Sequence, residues 1–211
     1  MQTYQVITGD VQASAEMSIG QRESLRRAFS QLAGESQGKY EYFIRGDSFQ
    51  ILLQENALRE CLRLKTYLHG ELSVQVRVSI GIGEVSLLRE RISDSDGEAF
   101  WYSGRTLEEM KAKDQWTRIT TANEYLNEEW NIHTATLDYL ESSRTENQSQ
   151  ALYWLLLGRT QQEIAKRLGI SQPSVHSRLK GAGWALIEKI LQRYERMQAV
   201  SSNSPRYAVA L

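Results

Sequence analysis

Cysteine is almost absent from this chain of 211 residues: Cys61 stands alone. No disulfide can form within it, so no covalent framework holds the fold, and a reducing cytoplasm is the compartment expected. Long apolar runs are missing too. No stretch approaches the roughly 20 residues needed to span a bilayer. The opening MQTYQVITGD lacks the basic-then-apolar pattern of a secretion signal. A soluble protein with no membrane partner is therefore expected. Internal repeats and low-complexity tracts are also absent. Net charge is nearly absent at -1, but that balance hides an asymmetry. Arg144 to Gln198 holds nine Lys or Arg against four Asp or Glu, so the remainder is acidic. A basic smaller part attached to an acidic larger one implies a polyanionic partner for the former.

What is present divides into two patterns. Thr3 to Thr8 is a β-prone run ending at Gly9-Asp10, and Leu25, Ala28, Phe29 and Leu32 mark a helix over Ile19 to Ala33. Lys39 to Arg45 and Phe49 to Gln54 read as two strands joined by a Gly-Asp-Ser turn. Ala57, Leu58, Cys61, Leu62, Lys65 and Leu68 trace a second helix, and Val74 to Ile82 a fourth strand. This β-α-β-β-α-β order predicts an α+β protein with a ferredoxin-like domain. A helix through Met110, a short strand at Trp116 to Thr120 and a helical remainder follow. The polar SSRTENQS segment predicts a boundary, giving domains over 1–143 and 144–200 and a tail over 201–211.

In the second domain, Thr160 to Lys180 reads TQQEIAKRLGISQPSVHSRLK. Ala165 is small enough for a close helix crossing and Gly169 suits a turn. Ile164, Leu168, Ile170, Val175 and Leu179 supply a shared core. Ser171 is a natural N-cap, and Pro173 is tolerated in a first helical turn. This is the pattern of a helix-turn-helix. Its second helix would offer Gln172, Ser174, His176, Ser177, Arg178 and Lys180 to DNA bases or phosphates. A helical pair used for dimerisation is the alternative.

In the first domain, the predicted topology brings the end of the first strand beside the hairpin between the second and third. Asp10 and Asp47 then converge on one sheet edge. Like charges held close call for a neutralising partner. A divalent cation, magnesium or manganese, is one candidate, with a nucleotide phosphate completing its shell. Alternatives remain open: Asp10 as a local cap, and Arg105 paired with Glu108 or Glu109 along its helix.

The residues FIRGDSFQILL resemble the G-G-D-E-F hairpin of diguanylate cyclases and the Gly-Asp hairpin of class III nucleotidyl cyclases. VRVSIGIGEV is similar to the strand that follows in both, and Asp94 to Glu108 can be laid on the cyclase segment D-x-x-G-x-x-V-N-x-x-x-R. The resemblance implies a palm domain with Asp10 and Asp47 as metal ligands. It makes Gly9, Val11, Arg45, Gly46, Ser48 and Asp94 nucleotide contacts and Arg105 the transition-state arginine. It further implies a homodimer in which Arg105 faces the aspartates of the other subunit. Departures are plain in the sequence: Trp101 stands in the catalytic asparagine position, Phe43 in that of the purine-selecting lysine, and Ser48 in that of the glutamate. The helix-turn-helix resembles those of sigma-factor region four and response-regulator output domains. The combination resembles the SatD family of bacterial proteins. The expectation is a DNA-binding transcriptional regulator whose palm domain senses a magnesium-bound nucleotide. An active cyclase or nucleotide polymerase, with the helix-turn-helix as a docking module, is the alternative.

Overall fold

A computed structural model of the chain describes residues 3–42, 47–113 and 115–203. Thr3–Val11, rich in residues that suit a pleated surface, forms β1. It lies at the centre of an antiparallel arrangement, between β3 (Ser48–Leu53) and β4 (Val76–Leu87). β2 (Lys39–Tyr42) flanks β3, and the two-residue β5 (Asp96–Gly97) pairs with the far end of β4. β6 (Thr117–Thr120) adds to β4 in parallel. The order β2-β3-β1-β4-β5 makes this a mixed α and β fold with a mainly antiparallel sheet.

Alternation along the strands separates two buried faces. Ile7, Val11, Phe49, Ile51, Val76, Val78 and Ile80 face the main core, which α1 (Ile19–Gly34) and α2 (Ala57–Leu72) close. α1 opens with a capping box between Ser18 and Gln21, and buries Leu25, Ala28, Phe29 and Leu32. Val6 and Leu52 point the other way, toward Ala99 and Phe100 of α3 (Glu98–Lys111).

The remaining α-helices among the described residues are α4 (Glu124–Ser142), α5 (Glu146–Leu156), α6 (Gln161–Leu168), α7 (Gln172–Gly181) and α8 (Trp184–Asn203). Only Ser143 to Thr145 separate α4 from α5. One continuous hydrophobic core runs from Ile7 and Phe29 through Leu64 and Leu68 to Leu152, Ile164, Val175 and Leu191. α8 returns to the sheet. The Tyr194 hydroxyl donates to Gln5 Oε1 at 3.1 Å, an oxygen that also accepts from the Ala57 amide at 2.7 Å.

β1 and β4 both run on past the ends that the sequence predicts. β1 does not stop at Thr8: Gly9, Asp10 and Val11 continue the ladder because Val78, Arg77 and Val76 lie opposite them. β4 likewise runs on to Leu87, where β5 extends its pairing.

α2 is buried on most of its circumference, and its charged residues are buried with it. Arg63 donates to Glu60 at 2.7 Å, to Glu35 at 3.3 Å and to the Leu32 carbonyl at 2.8 Å. The Tyr40 hydroxyl donates to Glu60, and that of Tyr153 to Glu35, so α5 joins the network. Lys65 meets Glu141 at 2.7 Å and Thr117 at 2.8 Å, linking α2 to α4 and β6. Burial opposes ionisation of Glu60, but the bonds from Arg63 and Tyr40 outweigh it and hold the carboxyl below its usual range. Burial also opposes the Lys65 ammonium, and Glu141 and Asp138 outweigh it in turn, raising that group.

These shifts set opposite pH limits. The lowered Glu60 contributes stability above its unfolded pKa of about 4.3, lost as pH falls through the folded value. The raised Lys65 contributes stability below about 10.4, lost as pH rises through its folded value. Denaturant melts across pH should therefore show an acid limb that flattens in Glu60→Gln and an alkaline limb that flattens in Lys65→Met. Arg63→Met, which strands Glu60 in the interior, should cost about 3–5 kcal/mol.

Candidate functional site

The expected carboxylates occupy neighbouring strand ends. Asp10 lies opposite Ser48 on one side and Arg77 on the other, and the Val11 amide donates to the Asp47 carbonyl at 3.2 Å. Their side chains have other partners. Asp10 Oδ1 accepts from the Gln12 side-chain Nε2 at 2.7 Å, while its Oδ2 lies 3.7 Å from Arg77 and 3.6 Å from Lys111. Asp47 Oδ2 accepts from the Ser14 hydroxyl at 2.7 Å. Arg77 is fixed in turn by donating to the Gln115 carbonyl at 3.1 Å. Lys111, on the last turn of α3, also meets Glu108 at 2.7 Å; that contact, with a smaller contribution from Asp10, raises its pKa.

As paired, Asp10 is already matched by two cations of the chain. Among the described residues no three His, Cys, Asp or Glu side chains are grouped so as to hold a metal ion. Arg77 and Lys111 did not figure in the sequence reading. Arg77 left a signal, as a lone charge between Val76 and Val78 on a strand whose neighbours are buried. Lys111 left none, because its place depends on how α3 lies across the sheet.

The other residues expected at this site are dispersed. Val11 is 2% exposed and belongs to the core. Gly9 is buried beneath Phe49: a Cβ there would meet the ring at 2.3 Å and the Arg77 carbonyl at 2.7 Å. Close strand-to-ring packing therefore accounts for the glycine. Ser48 begins β3 and is half-buried. Asp94 is exposed in a short 3-10 turn over Ile92–Asp94, next to Ser93, which Glu41 holds from β2. Arg105 is exposed on α3, 3.2 Å from Glu109 and stacked over Trp101 at 5.1 Å. Arg45, Gly46 and Phe43 lie outside the described residues.

A second surface is formed by α6 and α7. Thr160 and Glu163 make a capping box at the start of α6. Gly169 ends it with φ +65°, a left-handed conformation that favours glycine. Ser171 then caps α7 by accepting from the Ser174 amide, with Pro173 in the first turn. Ile164, Ala165, Val175 and Leu179 are buried between the helices and α5. Gln172, Ser174, His176, Ser177 and Lys180 are exposed along α7, with Arg178 half-buried. Among the described residues no side-chain partner engages them except Ser171, whose hydroxyl meets that of Ser174 at 2.8 Å. Beside α6 lies an open cleft of about 480 Å³ lined by Trp154, Arg159, Glu163, Ile164, Lys166 and Arg167. The Arg167 guanidinium stacks on the Trp154 ring at 3.7 Å. These cations extend the basic surface beyond the residues that the sequence pattern singled out.

No family model and no curated protein matches the chain. Among solved structures, it is similar to a bacterial light-regulated adenylyl cyclase at 14% identity and a TM-score of 0.39. That likeness covers 56% of this chain and 75% of the other. Among the described residues, no helix is long and apolar enough to cross a membrane.

The packing account of Gly9 makes a direct prediction. Gly9→Ala should lower stability by about 1–3 kcal/mol through overpacking, measured by urea denaturation. Phe49→Leu in the same chain should recover part of that loss by removing the ring that the new methyl meets.

Proposed function

We propose that this chain binds duplex DNA through a helix-turn-helix formed by α6 and α7, with α7 in the major groove. The observation that carries the reading is the outer face of α7, where six polar or basic side chains project from a well-capped helix and almost none is engaged within the chain. Side chains of this kind can bond to base edges and phosphates without first breaking internal contacts. Arg159, Lys166 and Arg167 around the neighbouring cleft supply further positive charge for the backbone. The local excess of basic residues over Arg144 to Gln198 supports the same partner.

The β-α-β-β-α-β half then serves as a ferredoxin-like, palm-type body carrying the reading helix. Its Gly9, Asp10 and Asp47 edge is the proposed place for a nucleotide signal, which would make the protein a transcriptional regulator. Phosphate oxygens need cations, and Lys111 and Arg77 stand beside Asp10. Magnesium or manganese bound at Asp10 and Asp47 would have to compete with that pairing. The nucleotide reading therefore favours direct contact with the chain's own cations. Arg105, held by Glu109 and Trp101, gives no specific support to a cyclase reaction.

Three measurements test this. In a fluorescence assay with random-sequence duplex, binding should weaken with salt, and Arg178→Ala with Lys180→Ala should lower the log-log slope by about 2. Binding unaffected by those changes would remove α7 from the interface. For the edge, ATP or GTP binding should persist in EDTA and be lost in Lys111→Met. A strict magnesium requirement together with loss in Asp10→Asn would instead assign the carboxylates to a metal. Incubation with each nucleoside triphosphate and manganese should yield no cyclic or linked product.

A further inference from the structure

α4 turns Trp130, Thr134 and Leu137 into the protein and leaves its opposite face uncovered. On that face Tyr125, Ile132 and Tyr139 are 73%, 69% and 76% exposed, at intervals of seven residues. Glu128, Ala135 and Ser142, also exposed, fall between and after them. The exposed positions thus run 125, 128, 132, 135, 139 and 142, the alternating three and four spacing of a seam between two helices. Isolated exposed apolar side chains are ordinary, but three large ones in register along a helix are not.

We propose that this face of α4 pairs with the same face of a second copy of the chain, antiparallel, about a two-fold axis passing beside Ile132. Two features on the helix select that occupant. The large residues read Tyr, Ile, Tyr in either direction, so the patch meets side chains of matching size when reversed, which suits an antiparallel isologous pair. Tyr125 then faces Tyr139 of the partner subunit, and Ile132 faces Ile132 of the partner subunit. The charges also fit this direction. Crossing at Ile132 sets Glu128 opposite Thr136 of the partner subunit and Glu129 opposite Ala135 of the partner subunit. A parallel pair would set every glutamate against its own copy.

The exposed area approaches that of a specific interface. An aromatic side chain buries about 150–250 Å², so the three exposed residues offer about 400 Å² per copy, or about 800 Å² for the pair. Glu128, Ala135, Ser142 and the flanking side chains bring the total toward the roughly 1,200 Å² at which specific interfaces begin. This pairing stands independently of what α7 binds, and it differs from a palm-to-palm dimer that would bring Arg105 to the other subunit.

The test uses the full chain. Sedimentation from about 1 to 100 µM should show a dimer that Ile132→Glu converts to monomer, while its circular-dichroism melt stays unchanged. Under mild oxidation Ile132→Cys should cross-link to itself. Tyr125→Cys should cross-link only when mixed with Tyr139→Cys, as antiparallel pairing demands. Cys61 will not interfere, since it is fully buried and burial pushes its thiol up to about 12. A chain monomeric throughout this range overturns the proposal, as does a dimer that persists in Ile132→Glu. Cross-linking of Arg105→Cys with none at Ile132→Cys overturns it as well, in favour of palm-to-palm pairing.

Discussion

Burial of the charged residues on α2 is the constraint on which the rest of the structure depends. A helix lying between a sheet and a second layer of helices would be expected to be apolar all round. This one carries Glu60, Arg63 and Lys65 into the interior. An unpaired buried charge costs several kcal/mol, so each must find its partner in one particular arrangement of the chain. Arg63 requires Glu60 and Glu35 together, with the hydroxyls of Tyr40 and Tyr153 completing the carboxylates. Lys65 requires Glu141 on α4 and Thr117 on β6. β2, α1, α4, α5 and β6 are thereby placed relative to α2 by directional contacts, while the surrounding leucines supply the bulk of the burial. Hydrophobic packing alone would tolerate small shifts of these helices; the ion pairs would not.

The same economy of charge governs the sheet edge. Asp10 is 7% exposed, and a charge buried to that degree is costly unless it is paired. Arg77, directly opposite it on β4, and Lys111, reaching in from α3, provide that pairing. The edge is thus a set of charges balanced within the chain. An anion binding there would have to compete with Asp10 for these two cations. By contrast the cations around Trp154 and along α7 have little to give up, since few carboxylates stand near them.

How much of this was legible in the sequence follows from how local each signal is. α1, α6 and α7 could be read because their signals are contained within a few residues: Leu25, Ala28, Phe29 and Leu32 in α1, Ile164 and Ala165 before Gly169 in α6, and Ser171 with Pro173 in α7. The neighbourhood of Asp10 and Asp47 could be read because consecutive strands and a short hairpin leave few topologies. The partners of Asp10 could not, since Arg77 depends on β1 running past Thr8 and Lys111 on the placement of α3. Gly9 illustrates the same limit: beside an aspartate it resembles a ligand loop, yet the ring that requires it comes from Phe49. Nor could the spacing of Lys65 in α2 disclose that its ammonium would be enclosed by residues from β6 and α4.

The hydrogen bond from Tyr194 to Gln5 has a consequence for how the molecule is made. Gln5 lies in β1 and Tyr194 in α8, so the side-chain oxygen of Gln5 gains this bond only after α8 has been made. At roughly 5–20 residues per second, on the order of 10–40 s separates the synthesis of the two residues. Until α8 docks, the part of the core that Ile187, Ile190, Leu191 and Tyr194 complete lacks that cover. The nascent chain must keep that surface from other chains until α8 can close over it.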